Sequence, residues 1–159
     1  MNELLNLLKQ NALESPENLA KLLGLTVEDV KKQIAEYEKD GIIRAYQAVV
    51  NEEKLDASLV TTVIEVKVTP ESDGGFDRIA DRISRFPEVE SVYLMSGTFD
   101  LLLFIKGRTM HEAAGFVSEK LATMPGVTST ATHFMMKTYK QNGILMHTGE
   151  DDERLKVSP

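Results

Sequence analysis

Residues 93–106 have the sequence YLMSGTFDLLLFIK. Two strongly apolar runs are separated there by a polar turn, residues 96–100, and this arrangement predicts a β-hairpin. The second run, residues 101–105, contains no polar residue. We therefore expect a strand that is covered on both faces, or covered by a helix on one face and by a second subunit on the other.

A strand and a helix are predicted before this hairpin. From about Leu59, apolar or small side chains recur at every second position, which indicates a strand with one buried face. That face carries Val60, Thr62, Ile64, Val66 and Val68. After a break at residues 70–75, an amphipathic helix is predicted to stop at Pro87. A strand over residues 89–95 is predicted to follow it. The apolar positions of the helix are Phe76, Ile79, Ala80, Ile83 and Phe86.

A second helix and a last strand are predicted after the hairpin. Thr109 and Glu112 have the spacing of a capping box, and Pro125 with Gly126 ends the helix. Its predicted inward positions are Met110, Ala113, Ala114, Val117 and Leu121. The strand is expected over residues 127–139.

The two halves of this region resemble each other. A shift of 38 residues superimposes Pro87 on Pro125, Ile79 on Val117, Ile83 on Leu121 and Val66 on Phe104. Two strand-helix-strand units joined by a hairpin predict an α+β domain of the ferredoxin-like βαββαβ type, with right-handed crossovers. The helices of such a domain cover one face of the sheet, so we expect a partner on the other face.

The first 50 residues predict three short helices. The first carries Leu4, Leu5 and Leu8 on one face and terminates at Asn11, and the second runs from a Ser15-Pro16 cap to Gly24. The apolar positions of the second helix are Leu19, Leu22 and Leu23. Thr26 with Asp29 resembles a capping box for the third helix. That helix points Val30, Ile34 and Tyr37 inward and ends at Gly41, and residues 42–50 follow as an extended segment.

Two short helices joined by a glycine-containing turn and supported by a first helix have the proportions of a helix-turn-helix. The same three-helix unit also serves as a packing module without any DNA contact. Through residue 50 the chain has eight acidic and six basic side chains, so a DNA-binding surface would have to be a local one.

Composition and residue spacing exclude several kinds of functional site. The chain of 159 residues has a formal net charge of -7 and no cysteine, which excludes disulfides and thiolate metal sites. The three histidines lack the spacing of a metal site, and no catalytic constellation or phosphate-binding glycine loop is present. We predict a cytoplasmic protein that is not an enzyme, has no cofactor or metal and makes no membrane contact. An enzyme that uses the hairpin aspartate, Asp100, is an alternative.

Four regions are predicted: a helix-turn-helix domain over residues 1–50, a polar linker over 51–58, a ferredoxin-like domain over 59–143 and a C-terminal extension over 144–159. In the extension, residues 144–147 are apolar enough to add a short strand, although a free tail is the alternative.

In order and pattern, residues 2 to about 143 resemble the Lrp/AsnC family of leucine-responsive and asparagine-type regulators. The segments that carry the resemblance are LAKLLGLT at residues 19–26, VKKQI at residues 30–34, GII at residues 41–43 and GTFDL at residues 97–101. The resemblance implies a winged helix-turn-helix that binds double-stranded DNA, a linker, and a ligand-sensing ferredoxin-like domain. It also implies homodimers that pack sheet against sheet, octamers or other higher assemblies, and amino-acid binding between dimers near the hairpin.

Site residues follow from that resemblance together with the predicted helix faces. The DNA-binding candidates are Thr26, Lys31, Lys32, Gln33, Ala35 and Arg44. The effector-binding candidates are Tyr93, Met95, Gly97, Thr98, Asp100, Thr130, Thr132 and His133. The family commonly has arginine where Gln33 stands and more basic residues near Ala35, so part of the expected DNA contact is missing. The rival hypothesis is an oligomeric amino-acid or metabolite-binding protein with a degenerate helix-turn-helix, and for Asp100 the rival role is turn capping alone.

Overall fold

The computed structural model describes residues 2–55, 59–70, 75–107 and 109–147. Residues 56–58 of the predicted linker and 148–159 of the predicted extension lie outside this description. The chain divides into two compact units, Met1–Val49 and Val50–Pro159. No helix in the described residues is long and apolar enough to span a membrane.

Three capped helices form the first unit: α1 (Glu3–Gln10), α2 (Pro16–Leu23) and α3 (Val27–Lys39). The side chains of Asn2, Ser15 and Thr26 each accept a hydrogen bond from a backbone N–H in the first turn that follows. These bonds satisfy donors that a helix leaves unpaired at its start. The predicted caps at Ser15 and Thr26 are confirmed. Gly24 ends α2 with a left-handed backbone (φ 65°), which glycine adopts without steric cost.

The core of the first unit consists of Leu4, Leu8, Leu19, Ala20 and Val30. Leu23, Ile34 and Tyr37 pack partly against it as predicted. Leu22, however, is 64% exposed, so this apolar position of the second helix is not part of the core. The buried side of α2 spans Leu19, Ala20 and Leu23, and Leu22 projects about 60° away from Leu19 on the outer side. Residues 44–50 are neither helical nor paired as a strand.

The second unit contains a four-stranded antiparallel sheet with the strand order β2-β3-β1-β4. Its elements in chain order are β1 (Val60–Val68), α4 (Asp77–Ser84), β2 (Val89–Leu94), β3 (Leu101–Gly107), α5 (Met110–Gly115) and β4 (Val127–Phe134). A π-helical segment, Phe116–Leu121, continues α5. This topology confirms the predicted ferredoxin-like domain, including the hairpin between β2 and β3.

One face of the sheet packs against the helices. Val66 on β1 and Leu103 on β3 are fully buried there, together with Ile79 and Ile83 of α4 and Leu121 of the π-helical segment. Burying each such side chain contributes roughly 1.5–3 kcal/mol. The predicted inward face of β1 is confirmed, since four of its five positions, Thr62, Ile64, Val66 and Val68, are buried.

The second helical stretch differs from the prediction. Met110 is 55% exposed and Ala114 is exposed, whereas Phe116 is buried in the core. A π-helical segment follows these positions, and in it the backbone N–H of Ala122 bonds to the carbonyl of Val117, five residues earlier. A π turn takes in one more residue than an α turn, so Phe116 and Leu121 both face the core although they are five positions apart, a spacing that a uniform α-helix would not align.

The internal repeat is also offset by one residue in its strands. Val66 faces the helices, but Phe104, its partner at a shift of 38, lies on the opposite face, where it pairs with Val63. The connection from Val68 to Val89 is one residue longer than the connection from Gly107 to Val127. Because strand faces alternate with a period of two, this single residue reverses the match.

The last strand ends at Phe134, so the predicted extent to residue 139 is wrong. Two short strands follow, β5 (Lys140–Gln141) and β6 (Ile144–Leu145), which pair with each other. Asn142 and Gly143 both have positive φ between them, as a type I′ turn requires. A short strand at residue 144 was predicted, but its pairing with residues 140–141 was not.

Candidate functional site

Helix α3 carries five of the six predicted DNA-binding residues along its length or at its cap. Lys31, Lys32 and Ala35 are exposed, whereas Gln33 is half-buried. Neither lysine forms an ion pair within the described residues, so both ammonium groups are available to phosphates. The 13 residues of α3 span about 20 Å, the scale of a helix that lies in a major groove.

Thr26 and Arg44 stand at opposite ends of α3. The Thr26 hydroxyl donates to the Asp29 carboxylate at 2.6 Å and accepts from the Asp29 backbone N–H at 3.1 Å, so it is committed to the cap. The Arg44 guanidinium passes within 3.2 Å of the position that a Cβ on Gly41 would take. It therefore lies over the carboxyl end of α3, where a cation is favourable.

Acidic side chains share the exposed surface of α3. Glu28, Asp29, Glu36 and Glu38 all lie on this helix beside the two lysines. The Tyr46 hydroxyl donates to Glu38 at 3.0 Å. Partial burial raises the pKa of Tyr46, and the bond to Glu38 raises it further. The surface is thus mixed in charge, with cations at Lys31 and Lys32 and a third, Lys39, in the last turn.

The turn between β2 and β3 is tied to the end of β1 by Asp100. The Asp100 carboxylate accepts a hydrogen bond from the Val68 N–H at 2.8 Å, and the Asp100 N–H donates to the Val66 carbonyl at 3.0 Å. Gly97 is exposed and has φ 149°. Within the described residues, the N–H groups of Gly97 and Thr98 donate to no acceptor, so two backbone donors face solvent at the turn.

The remaining effector candidates do not converge on this turn within one chain. Tyr93 on β2 and His133 on β4 lie on the same face of the sheet but at its two outer strands, three strand spacings or about 14 Å apart. Thr130 and Thr132 pair with Val66 and Ile64 and so lie on the helix-covered side. Met95 and Thr98 are exposed at the hairpin end. A single protomer therefore forms no enclosed site from the eight residues.

Among the described residues, no helix lies over the face of the sheet that is opposite to α4 and α5. We call it the open face, and it consists of Ser91, Tyr93, Leu102, Phe104, Val63, Glu65, Ala131 and His133. Tyr93 and Phe104 stack edge to face with ring centroids 6.0 Å apart. His133 approaches Glu65 at 3.4 Å. Apolar rings and aliphatic side chains at the middle of this face, with polar groups beside them, are typical of a surface that pairs with another one.

Residues 51–54 contact residues 138–147, and no sequence pattern predicted these contacts. The short 3₁₀ helix Glu52–Lys54 begins after Asn51, whose side-chain amide donates to the Met146 carbonyl at 2.8 Å. Glu53 accepts from the Thr138 N–H at 3.1 Å and lies 3.5 Å from His147. These partners are at least 85 positions apart in sequence, so no local pattern could have indicated them.

Histidines and carboxylates do not assemble into a metal centre in the part of the chain that the structure describes, where no group of three or more potential ligands is found. His133 and His147 each approach one glutamate.

Comparisons with known proteins agree with the fold. A family model described as the Lrp/AsnC ligand binding domain matches residues 61–145. The chain is 48% identical to the uncharacterized HTH-type transcriptional regulator YugG of Bacillus subtilis, over 99% of this chain and 95% of that one. It is 31% identical to the leucine-responsive regulatory protein of Haemophilus influenzae, over 91% and 86% of the two chains.

Among solved structures, the transcriptional regulator NMB0573 of Neisseria meningitidis, crystallised with L-Met, has the same fold. It superimposes with a TM-score of 0.69 at 23% identity, covering 89% of this chain and 93% of that one. The match over residues 61–145 and the identity to full-length regulators lead to one assignment. This chain belongs to the Lrp/AsnC family of transcription regulators.

Proposed function

We propose that the protein is a sequence-specific DNA-binding transcription regulator of the cytoplasm. In this proposal its second unit assembles into homodimers and higher homo-oligomers and senses a small molecule, an amino acid. The observation that carries the DNA-binding part is the capped α2-turn-α3 arrangement with Lys31 and Lys32 exposed on α3 and unpaired in the described residues. Lys31 and Lys32 would bind DNA phosphates. Arg44 would contact the DNA backbone beyond the end of α3.

The open face supports assembly. Leu102, Phe104 and Val63 form an apolar centre on it, and no element of the described chain covers them. A second copy of the same face would remove this area from water, and two-fold pairing would bring the same residues together on both sides. A dimer would also double the small cationic footprint of α3, which offsets its limited positive charge through effective concentration.

The hairpin turn supports ligand binding. An amino acid presents a carboxylate and an ammonium, and the free N–H groups of Gly97 and Thr98 suit the first. Asp100 has a negative charge for the second, although one of its oxygens is already bonded to Val68. The names of two relatives refer to leucine response and to a complex with L-Met, and we extend amino-acid sensing to this chain on that basis.

One observation favours the rival function, a metabolite-binding oligomer without DNA recognition. Four acidic side chains, Glu28, Asp29, Glu36 and Glu38, accompany the lysines on α3. A salt titration separates the two functions. We expect a duplex enriched from a random-sequence pool to bind with a log affinity that falls linearly with log salt concentration. If no duplex is enriched, or if affinity does not respond to salt, the rival function is the correct one.

A further inference from the structure

A cavity of about 480 Å³ lies at the end of β3 that is remote from the hairpin turn. Ile105 and Gly107 of β3 form one wall, and Ala113, Gly115 and Phe116 of the helical stretch form the other. Its volume is in the range of small-molecule sites, roughly 300–1,000 Å³. The turn precedes β3 and the cavity is at its last residues, so the length of the strand, about 20 Å, separates the two.

Gly115 has no structural reason to be glycine. Its backbone is helical, with φ -60° and ψ -46°, a conformation open to every residue type. A Cβ added there would meet no atom within 4 Å. Glycine is the poorest helix former after proline, so at this position it weakens the helix without relieving any contact. Because Gly115 has no side chain, the space beside it remains part of the cavity.

The π-helical segment begins directly after Gly115 and places Phe116 in the cavity wall. Short π segments are uncommon because an α-helix packs and bonds better, and they are found frequently at functional sites. Phe116 and Lys120 are four positions apart, so they lie on the same face of the segment, and both line the cavity.

Lys120 gives the cavity a cation, and three acidic residues, Glu88, Glu112 and Glu119, also line it. The Lys120 ammonium pairs with the Glu88 carboxylate and lies 5.6 Å from the ring centroid of Phe86 and 5.9 Å from that of Phe116. The hydrogen bond from Lys120 lowers the pKa of Glu88, despite an opposing contribution from burial. An ammonium has three donors, so Lys120 can bind Glu88 and a further anion at once.

Lys106 also lines the cavity, but two carboxylates already compensate its charge. It contacts Glu52 at 2.5 Å and Glu90 at 2.6 Å. Burial alone would lower the pKa of Lys106, but the bonds and charges of these two glutamates outweigh it, and the pKa is raised. Lys120 is therefore the better anchor for an anionic ligand.

We propose that this cavity is a second effector site, which binds a small carboxylate with an apolar body. The ligand carboxylate accepts from the Lys120 ammonium, and its body packs on Ile105, Ala113 and Phe116 in the space that Gly115 leaves free. The proposal rests on the proposed function only in treating the ligand as an effector, since binding itself requires no DNA.

Calorimetry and thermal shifts on the full chain test the site with four probes: L-leucine, L-methionine, 4-methyl-2-oxopentanoate and, as a control without a carboxylate, L-leucinamide. We expect at least one carboxylate to bind and leucinamide to bind at least about tenfold more weakly. Gly115→Leu fills the cavity from a backbone position that accepts a side chain, and Lys120→Met removes the anchor. Each should weaken the carboxylate by at least about tenfold, whereas Ala114→Leu, on the exposed neighbour, should not.

Three results overturn the proposal. One is that none of the three carboxylates binds. Another is that Gly115→Leu, shown to be folded by its melting curve, keeps the affinity of the parent. The third is loss of binding in Asp100→Asn with retention in Gly115→Leu, which would locate the ligand at the hairpin. The third result would leave the proposed regulator intact, and the DNA salt titration is independent of all three.

Discussion

The Asp100 carboxylate accepts a hydrogen bond from the backbone N–H of Val68 at 2.8 Å and so fastens the hairpin turn to the end of β1. The Asp100 N–H donates to the Val66 carbonyl at 3.0 Å, which makes the attachment two-sided. Capping the turn and binding a ligand are thus compatible roles for this residue, because the carboxylate has a second oxygen. The structural role must be separated from the ligand role by choosing substitutions that affect one of them.

Asp100→Asn is expected to melt near the parent temperature. The amide oxygen can still accept from Val68, so the turn is kept, but the charge that would face an ammonium is lost. We expect the thermal shift that a cognate amino acid produces in the parent to disappear, as measured by differential scanning fluorimetry. A retained shift in Asp100→Asn would remove Asp100 from the effector site.

Asp100→Ala is the companion variant for stability. It leaves the Val68 N–H without its partner, so we expect the free energy of unfolding to fall by roughly 0.5–2 kcal/mol. Chemical denaturation of the full chain measures this, and Thr98→Ala, at an exposed position of the same turn, is the control. Equal stability of the two variants would mean that the bond to Val68 contributes nothing measurable.

Lys31→Ala combined with Lys32→Ala tests the DNA-binding surface. Each lysine that contacts a phosphate contributes close to one unit to the slope of log affinity against log salt, so the slope should flatten by up to about 2 for a single bound helix. Lys9→Ala with Lys140→Ala removes the same formal charge from exposed positions outside α3 and should leave the slope closer to that of the parent. An unchanged slope in the α3 variant would exclude both lysines from the phosphate contacts.

Sequence periodicity predicted the elements whose pattern is local. The alternation from Thr62 to Val68 identified the buried face of β1, and the Ser15 and Thr26 caps identified helix starts, because each depends on residues only a few positions apart. The π-helical segment was not predictable in this way. One additional residue in a turn changes no residue type, yet it lets Phe116 and Leu121, five positions apart, both face the core.

The candidate site was predictable only in part, because strand order is a property of the whole sheet. Tyr93 and His133 were expected to line one site, but β2 and β4 are the two outer strands, so these side chains lie at opposite edges. The contacts of Asn51 with Met146 and of Glu53 with Thr138 join distant parts of the chain and have no local signature. Residues 97–100 could be recognised as part of a turn because they are contiguous in the sequence.

Val63→Lys tests whether the open face is a subunit interface. Val63 lies between Phe104 and His133 on that face, so a charged side chain there would be buried without a partner in a sheet-to-sheet dimer. We expect the dimer dissociation constant to rise by at least about tenfold, measured by light scattering on the full chain at several concentrations. Ser84→Lys, at the exposed end of α4, is the control. If Val63→Lys assembles like the parent, the dimer uses another surface.

The pair between Glu88 and Lys120 should make part of the stability depend on pH. The bond from Lys120 holds the pKa of Glu88 below its ordinary value of 4.5 in the folded protein. A carboxylate with a depressed folded pKa stabilises the fold above its unfolded pKa, and this contribution is lost as the pH falls through the lower, folded value. Glu88→Gln should therefore melt below the parent at about pH 7, and the gap should close as the pH falls through the lowered pKa of Glu88, where this residue becomes protonated in the parent as well. Circular dichroism melts at a series of pH values measure the gap.

The control is Glu119→Gln, which removes an exposed carboxylate from the helical segment that carries Lys120. No bond to Lys120 would be lost with it. A gap for Glu88→Gln that stays constant from about pH 7 to about pH 3 would show that the ion pair is not what the substitution removes.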